Sequence, residues 1–425
     1  MNINWWLMND IFEILPSRIN GKIIAPDSKS EMIRYMIGAM LANGISVIHN
    51  SSNLCNDAQV TLDFLKDYGN KIDIDNEKIA INSLHNIREN LTFNCGESAL
   101  LFRMLSIILS LSDDEIHLRA EGSLKNRNHQ QLIDFLDSLG VFAKWDNENS
   151  ILTIKGPIKS NKIQLDGSSG SQILTGLLFA MPLMNDDSEI IVENLKSKPY
   201  IDLSIRILKE FGIIIENINY KIFKIKGNQQ FKSGSFQPEG CWSSSANFLV
   251  AAAINGNIEI EGLNTNSLQP DRNIIEILKL VGAKIELTEK SIKVENDTLN
   301  SFNYNASDTP DLVPPLVALA CNCKGTTIIS GIDRLKNKES DRASVLIEEF
   351  SKLGAKIKRI DNSFEIIGNQ LSGRNVISHN DHRIAMALAI AGLNATDSVI
   401  IDNIDFISKS YPEFISHFKK LTGAN

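Results

Sequence analysis

The chain has 425 residues, of which 43% are hydrophobic and 22% charged, and its formal net charge is −8. This length and composition predict a globular protein of two or more domains, and the acidic balance argues against a nucleic-acid partner. The longest apolar stretch, 100–111, contains Arg103 and is too short to span a bilayer, so we expect no membrane association. Residues 1–10 lack a signal-peptide pattern, and the five cysteines are scattered, so we expect a cytoplasmic protein.

A helix-end pattern recurs six times along the chain, at intervals of 69 to 72 residues. In each unit, apolar residues at helical spacing stop at a glycine, the residue that most readily adopts the left-handed conformation after a helix. The six glycines are Gly69, Gly140, Gly212, Gly282, Gly354 and Gly423. Chance is the competing explanation, but five similar intervals in succession favour a repeat. We predict six α/β modules arranged as two lobes of three, with a ligand in the cleft between them.

The first notable helix start, at 26–34, carries cations where a helix normally prefers anions. Lys29 lies at the predicted start and Arg34 lies about one turn further on, while Ser28 and Glu31 have the spacing of a capping box. Because a helix N-terminus is electropositive, cations at this point are unfavourable unless an anion binds there. The segment therefore suggests an anion site.

Other helix starts repeat this feature or are rich in hydroxyl groups. The cationic ones contain Arg103, the pair Lys338 and Arg342 at i, i+4 spacing on one face, and Arg383; the hydroxyl-rich ones are 166–172 and 243–245. Taken singly, each is more typical of a solvated charge or an ordinary N-cap. Together, on a repeating scaffold, they indicate a ligand or ligand pair with several negative charges.

At these segments the sequence resembles the enolpyruvyl transferases and, among them, the EPSP synthase family. The matching segments, in family order, are 26–34, 96–103, 125–128, 166–172, 197–202, 310–314, 336–342, 380–383 and 409–412. They extend over nearly the whole chain, which makes the resemblance specific.

The resemblance implies an α/β fold, a two-domain inside-out α/β barrel built from six repeats, three per domain. One domain, at 19–237, would form the shikimate 3-phosphate side. The other, formed by 1–18 and 238–425, would carry the catalytic carboxylates and part of the phosphoenolpyruvate site. The chain would cross between the domains twice, and closure around both substrates would exclude water.

The resemblance also implies the reaction, a step of the shikimate pathway of aromatic amino acid biosynthesis. The enolpyruvyl group of phosphoenolpyruvate would move to the 5-hydroxyl of shikimate 3-phosphate through a tetrahedral intermediate, with release of phosphate. Asp311 would accept the hydroxyl proton, Glu339 would protonate the methylene carbon, and Lys29 would be the third catalytic residue. We expect a monomer that uses these two substrates and needs neither a metal nor another cofactor.

The substrate contacts are carried over position by position. Shikimate 3-phosphate would meet Lys29, Ser30, Arg34, Gly170, Ser171, Gln172, Ser197, Tyr200, Asp311 and Lys338. Phosphoenolpyruvate would meet Lys29, Ala99, Arg127, Gln172, Arg342, Arg383 and Lys409.

Several positions depart from the family pattern without removing a charged catalytic residue. The principal departures are Asp27 and Ala99 in place of glycines, Leu100 in place of a smaller residue, Asn128 in place of a proline, and Cys241 in place of an aspartate. They lead us to expect an effect on phosphoenolpyruvate affinity, and they motivate the alternative of a catalytically weak paralog. UDP-N-acetylglucosamine enolpyruvyl transferase is the nearest rival on the same fold, but its mobile-loop cysteine has no counterpart here. RNA 3′-phosphate cyclases share a related fold, and the acidic charge disfavours them.

Overall fold

The structure, a computed structural model, describes residues 11–75, 77–83 and 91–424. The chain divides into two compact units: the first comprises Met1–Pro26 with Glu239–Asn425, and the second is Asp27–Pro238. Residues 1–10, which belong to the predicted domain segment 1–18, lie outside the described residues. In the part of the chain that is described, no helix combines the length and the apolar character needed to cross a membrane.

Twelve α-helices and twenty-five strands are present in the described chain. The helices are α1 (Lys29–Leu41), α2 (Asn56–Asp67), α3 (Ala99–Ile108), α4 (Gln130–Ser138), α5 (Gln172–Ala180), α6 (Lys198–Glu210), α7 (Trp242–Asn255), α8 (Ile274–Val281), α9 (Val313–Cys321), α10 (Arg342–Lys352), α11 (His382–Gly392) and α12 (Phe414–Thr422). The strands are β1 (Ile11–Ile14), β2 (Ile19–Ile24), β3 (Ala42–Asn43), β4 (Ile45–His49), β5 (Lys71–Asp75), β6 (Lys78–Asn82), β7 (Thr92–Asn94), β8 (Glu115–Arg119), β9 (Phe142–Asp146), β10 (Ile151–Lys155), β11 (Lys162–Asp166), β12 (Ser188–Glu193), β13 (Ile215–Ile218), β14 (Ile222–Ile225), β15 (Phe231–Lys232), β16 (Ser235–Phe236), β17 (Gly256–Glu261), β18 (Lys284–Leu287), β19 (Ser291–Glu295), β20 (Asn303–Asn305), β21 (Thr326–Ser330), β22 (Lys356–Ile360), β23 (Ser363–Ile367), β24 (Asn375–Ile377) and β25 (Val399–Asp402).

The modules share one plan, which the third module of the second unit shows clearly. Strands β11 and β12 are parallel, and the buried helix α5 connects them. Helix α6 follows, and then β13 and β14 form an antiparallel hairpin that completes the sheet. Parallel neighbours need such a helical crossover, whereas antiparallel neighbours need only a tight turn. The burial follows the sequence, because α5 is apolar on all sides and α6 has one apolar face.

In both units, a strand from a distant part of the chain completes one of the sheets. In the second unit the four-stranded sheets have the orders β16-β4-β6-β5, β7-β8-β10-β9 and β11-β12-β14-β13, and β3 pairs with β15. In the first unit the orders are β18-β19-β17-β2, β20-β21-β23-β22 and β1-β25-β24. Strand β2 is parallel to β17, so it belongs to the first unit, and that unit extends to Pro26, whereas the expected domain boundary followed residue 18.

Three helices form the centre of each unit. Helices α1, α3 and α5 pack together in the second unit, and α7, α9 and α11 pack together in the first. Every residue of α9 and α11 is buried. Central helices with sheets outside are the inside-out arrangement that the sequence resemblance implied, and the predicted two-domain α/β fold is confirmed. The sheets of the described residues remain separate, each with its own edge strands, and do not close into a barrel.

The glycines of the six-fold pattern occupy equivalent positions. All six have positive φ, between 69° and 102°, and each lies just after the second helix of its module. This is the backbone region that glycine enters without a Cβ clash. The prediction of six modules that each end a helix at glycine is therefore confirmed.

Candidate active site

In the second unit, predicted site residues lie at the N-termini of the three central helices. Lys29, Ala99 and Gln172 are the first residues of α1, α3 and α5. The ends of α3 and α5 are adjacent, because Arg103 Nη1 donates to Gln172 Oε1 at 2.6 Å. The unpaired amides of such helix ends favour an anion. Arg103 was recognised as a cationic helix-start residue, but it lies in the second turn of α3 and was not predicted as a ligand.

Arg34 is a buried cation surrounded mainly by neutral acceptors. Its Nε donates to Ser204 Oγ at 2.9 Å, and its Nη1 donates to the Ser30 carbonyl at 2.7 Å. Burial lowers the pKa of Arg34 to about 10, so its charge persists at neutral pH. A guanidinium that is buried without a carboxylate on it is costly unless a ligand supplies the negative charge.

Arg103 and Arg127 form a second positive region in this unit. Burial, together with the nearby charge of Arg127, lowers the pKa of Arg103 to about 10. Arg127 directly follows the 3-10 turn Leu124–Asn126. Two neighbouring guanidiniums create a positive field that attracts an anion.

The other predicted residues of this unit lie at the starts of α5 and α6, and Lys29 has a partner of its own. Ser171 is the N-cap of α5, next to Gly170 with φ +128°. Ser197 adopts a left-handed conformation immediately before α6, and Tyr200, in the first turn of α6, interacts electrostatically with Arg34. Lys29 Nζ forms an ion pair with Asp57 Oδ2 at 2.8 Å, a partner that the sequence did not suggest.

One expectation about the first helix start is corrected by its surroundings. Ser28 is the N-cap of α1 but, among the described residues, its hydroxyl makes no capping bond; Glu31 instead pairs with Arg206 Nη2 at 2.8 Å. The capping-box prediction is therefore wrong, because a buried carboxylate gains more from a charged partner than from one amide. Asp27 accepts hydrogen bonds from the backbone N–H of Ser51 at 2.7 Å and from its hydroxyl, which accommodates the departure from glycine.

In the first unit, Arg342 gathers three carboxylates around one buried guanidinium. It is 1% exposed and begins α10. Its Nη1 donates to Asp311 Oδ1 at 3.0 Å, its Nη2 to Glu339 Oε2 at 2.5 Å, and its Nε to Asp381 Oδ2 at 2.8 Å. Asp381 lies in the 380–383 motif but was not predicted as a site residue, because only its tertiary contact with Arg342 places it in the site.

Asp311 lies among cations from separate segments. Its Oδ2 is 2.9 Å from Arg383 Nη2, and its Oδ1 is 3.6 Å from Lys338 Nζ. Burial acts to raise the pKa of Asp311, but the charges of Arg383, Lys338 and Arg342 outweigh burial and hold it well below its usual range. In contrast, burial lowers the pKa of Lys338 to about 8, although Asp311 opposes that shift.

Ser243 and Lys409 extend this cluster. Arg383 Nη2 donates to Ser243 Oγ at 3.2 Å, and Lys409 Nζ is 3.8 Å from Glu339 Oε1. The predicted residues of the first unit thus come together in one charged cluster. It holds the carboxylates of Asp311, Glu339 and Asp381 and the cations of Lys338, Arg342, Arg383 and Lys409.

The placement of Lys338 and Arg342 on one helical face is wrong. Lys338 directly follows the 3-10 turn Asp333–Asn337, and α10 begins only at Arg342. Asp341 is the N-cap of α10 and accepts the Ser344 backbone N–H at 3.2 Å, so it ends the non-helical segment. Lys338 and Arg342 both lie close to Asp311, although one follows a 3-10 turn and the other begins α10.

Two solved structures with this architecture are an EPSP synthase and an enolpyruvyl transferase. EPSP synthase from Acinetobacter baumannii superposes with a TM-score of 0.81 at 23% identity, over 97% of this chain and 98% of that one. The enolpyruvyl transferase NikO from Streptomyces tendae superposes with a TM-score of 0.80 at 16% identity, over 98% of each chain. The fold is therefore that of the enolpyruvyl transferases.

Sequence comparison identifies the family within this class. The profile of the family described as EPSP synthase (3-phosphoshikimate 1-carboxyvinyltransferase) matches residues 15–418. The 3-phosphoshikimate 1-carboxyvinyltransferase of Clostridium perfringens (strain SM101) is 36% identical over 96% of this chain and 98% of the relative. That of Clostridium novyi (strain NT) is 37% identical over 97% of both. The chain belongs to the EPSP synthase family, which confirms the resemblance and the enzyme class predicted from the sequence.

Proposed function

We propose that the chain transfers the enolpyruvyl group of phosphoenolpyruvate to the 5-hydroxyl of shikimate 3-phosphate and releases phosphate. The observation that carries this proposal is the cluster around Asp311 and Glu339, two carboxylates held among four cations. Such a cluster suits a reaction between two anionic substrates in which protons move between oxygen and carbon.

The cations have a binding role in this proposal. Arg342, Arg383 and Lys409, with Lys29 and Arg127 of the second unit, would neutralise the phosphate and carboxylate of phosphoenolpyruvate. Lys338 would meet shikimate 3-phosphate. The remaining predicted contacts of shikimate 3-phosphate are Lys29, Ser30, Arg34, Gly170, Ser171, Gln172, Ser197, Tyr200 and Asp311. Ala99 and Gln172, at adjacent helix N-termini, complete the phosphoenolpyruvate contacts.

The carboxylates have the proton-transfer role. Glu339 gives a proton to the methylene carbon of phosphoenolpyruvate, which makes the neighbouring carbon electrophilic. The substrate hydroxyl attacks that carbon and its proton passes to Asp311, which forms the tetrahedral intermediate. Phosphate then leaves, and a methyl proton returns to the Glu339 carboxylate, which restores the enolpyruvyl double bond. Lys29 is the third catalytic residue and would stabilise the charge that develops on the substrates.

The charge state of Asp311 fits this sequence of events. Without ligands, Arg383, Lys338 and Arg342 hold its pKa well below its usual range, which makes it a weak base. Anionic substrates attract the same cations and so compete with Asp311 for them. The pKa of Asp311 should therefore rise when both substrates are bound, which improves it as a proton acceptor at the right moment.

The remaining expectations belong to the same proposal. The unit Asp27–Pro238 would serve shikimate 3-phosphate, and the unit formed by the remaining residues would carry the catalytic carboxylates. We further propose that the protein acts as a cytoplasmic monomer.

A phosphate-release assay tests the proposal. The purified chain is given phosphoenolpyruvate with shikimate 3-phosphate, with unphosphorylated shikimate, or with UDP-N-acetylglucosamine. Release that depends on shikimate 3-phosphate is expected. Release with the sugar nucleotide alone, or no release above background with shikimate 3-phosphate, would overturn the proposal.

A further inference from the structure

A buried carboxylate two turns along α10 from Arg342 has no part in the proposed chemistry. Glu349 is 0% exposed and lies seven residues after Arg342, so both side chains project from the same face of the helix. Its Oε2 accepts the backbone N–H of Ile377 at 2.9 Å, and its Oε1 lies 2.7 Å from His379 Nε2. Since a carboxylate only accepts, the imidazole is the donor in that contact.

The segment that Glu349 holds leads directly into the charged cluster. His379 and Asn380 have φ of 53° and 56°, two consecutive left-handed residues that are not glycine. Asp381 follows as the N-cap of α11 and accepts the backbone N–H of Arg383 at 3.0 Å. Left-handed residues with side chains persist where their surroundings fix them, and such positions concentrate at functional sites.

Helix α10 therefore contacts both ends of the turn formed by residues 377–381. Glu349 binds residues 377 and 379 on one side, and Arg342 binds the Asp381 carboxylate on the other. The direction of the turn determines where α11 begins. It therefore determines where the Arg383 guanidinium lies against Asp311 and Ser243.

We propose that Glu349 is a positioning residue. Through His379 and the backbone of Ile377, it holds the Arg383 guanidinium in place to bind phosphoenolpyruvate. This rests on the proposed function, because Arg383 is there a phosphoenolpyruvate ligand. Glu348, Glu349 and His379 also have ligand atoms within 4.8 Å of one another, which resembles a metal site. However, Lys352 Nζ lies 2.7 Å from Glu349 and 3.3 Å from Glu348, so an ammonium group of the chain already pairs with both carboxylates.

Two substitutions of His379 separate this role from simple backbone tolerance. His379→Gln places an amide N–H about as far from the backbone as Nε2, so the bond to Glu349 is retained. His379→Asn reaches only as far as Nδ1 and loses that bond, yet asparagine is the better residue for a left-handed backbone. The two explanations thus predict opposite orders of activity.

We expect His379→Asn to raise the KM for phosphoenolpyruvate about 10-fold, because small misplacements of a binding group have large effects. The KM for shikimate 3-phosphate should change less than about twofold, and His379→Gln should behave like the parent. Lys356→Gln, at an exposed lysine, is the control and should also behave like the parent. Equal or better phosphoenolpyruvate kinetics for the asparagine variant would overturn the proposal. So would a lower melting temperature with an unchanged KM.

Amide hydrogen exchange provides a readout that does not depend on catalysis. In His379→Asn the amides of residues 377–383 should exchange faster than in the parent, while in His379→Gln they should not. If the parent chain fails to release phosphate, the proposed function fails, and the exchange comparison still decides whether Glu349 holds this turn. Equal exchange in both variants would contradict the inference even in an active enzyme.

Discussion

The protonation of Asp311 depends on how three cations are shared between this carboxylate and the substrates. With Arg383 Nη2 at 2.9 Å and Arg342 Nη1 at 3.0 Å, the ionised carboxylate is strongly stabilised. The pKa of a carboxylate that is stabilised in this way rises only when the neighbouring cations interact with another anion. The cluster therefore links substrate binding to proton transfer at the level of single side chains.

Replacing either proposed proton-transfer residue should abolish turnover while substrate binding persists. Asp311→Asn and Glu339→Gln keep the size of the side chain and remove its carboxylate, so each should lower kcat about 100-fold or more. Binding of shikimate 3-phosphate, measured by calorimetry, should remain detectable in both. Asp333→Asn, at an exposed carboxylate nearby, is the control and should leave kcat unchanged. Near-parental turnover in either variant would refute its assigned role.

Lys338 should introduce a pH dependence on the basic side. Burial lowers its pKa to about 8, so in the free enzyme the ammonium is charged below that pH and loses its proton above it. Because the charged form attracts the substrate phosphate, kcat/KM for shikimate 3-phosphate should fall above that pH, by about tenfold per unit at the limit.

Substitution by arginine identifies the group responsible. Lys338→Arg stays protonated throughout this range, so the decline should disappear or move to higher pH. Lys336→Arg changes an exposed lysine of the same segment and should preserve the parental profile. An unchanged profile in Lys338→Arg would assign the decline to another group.

At the residue scale, the sequence predicted which charged residues belong to the candidate site better than it predicted which residues they contact. The matched motifs named Asp311, Glu339 and Arg342, which the structure places in mutual contact. Asp57 and Asp381 could not be found in this way, because each acts through an ion pair with a residue distant in the chain. Such pairs depend on tertiary packing, which local spacing does not encode.

At the element scale, the period of the modules was readable from the sequence, while the order of the strands was not. A glycine that ends a helix is a local signal, and all six were found. The exchange of β2 and β16 is different, because each of these strands pairs with a strand that is remote from its own position in its unit. Only the folded sheets show where the chain crosses between the units.

The glycine at the end of α10 provides a test of the helix-end pattern. Gly354 has φ +82°, and the nearest atom to an added Cβ would be Ser372 Oγ at 3.6 Å, an ordinary contact. The cost of Gly354→Ala is therefore mainly that of the left-handed backbone, about 1–2 kcal/mol. It should lower the melting temperature by roughly 2–8 °C.

Gly354→Asn is the matched comparison, since asparagine enters the left-handed region more readily than alanine. Its melting temperature should lie between those of the parent and the alanine variant. If alanine were as stable as glycine at this position, the backbone argument for the six-fold pattern would fail there.

At the scale of the whole molecule, charge is organised locally rather than globally. The chain has a net charge of −8, yet the cluster of the first unit holds four cations and three carboxylates. The second unit adds Arg34, Arg103 and Arg127 near the N-termini of its central helices. We therefore expect anion recognition to depend on the cations that gather within each unit, which the overall net charge does not reveal.

The distribution of the proposed ligands predicts a ligand-dependent change in the dimensions of the molecule. Those of the second unit lie between residues 29 and 200, and those of the first lie between 311 and 409, so neither unit holds the full set. Two small substrates that contact both sets would therefore bridge the two units. We therefore expect shikimate 3-phosphate to shift the molecule toward a more compact state.

Small-angle X-ray scattering measures this change as a decrease in radius of gyration when shikimate 3-phosphate is added. Unphosphorylated shikimate is the control ligand, because it lacks the charge that Arg34 and Lys338 are proposed to bind. Arg34→Gln should weaken the response to the phosphorylated ligand, since it removes a buried cation from the second unit while keeping a hydrogen-bonding side chain. Identical profiles with and without shikimate 3-phosphate, at a concentration where calorimetry shows binding, would contradict ligand-driven compaction. An equal response to shikimate would instead show that the phosphate contacts do not drive it.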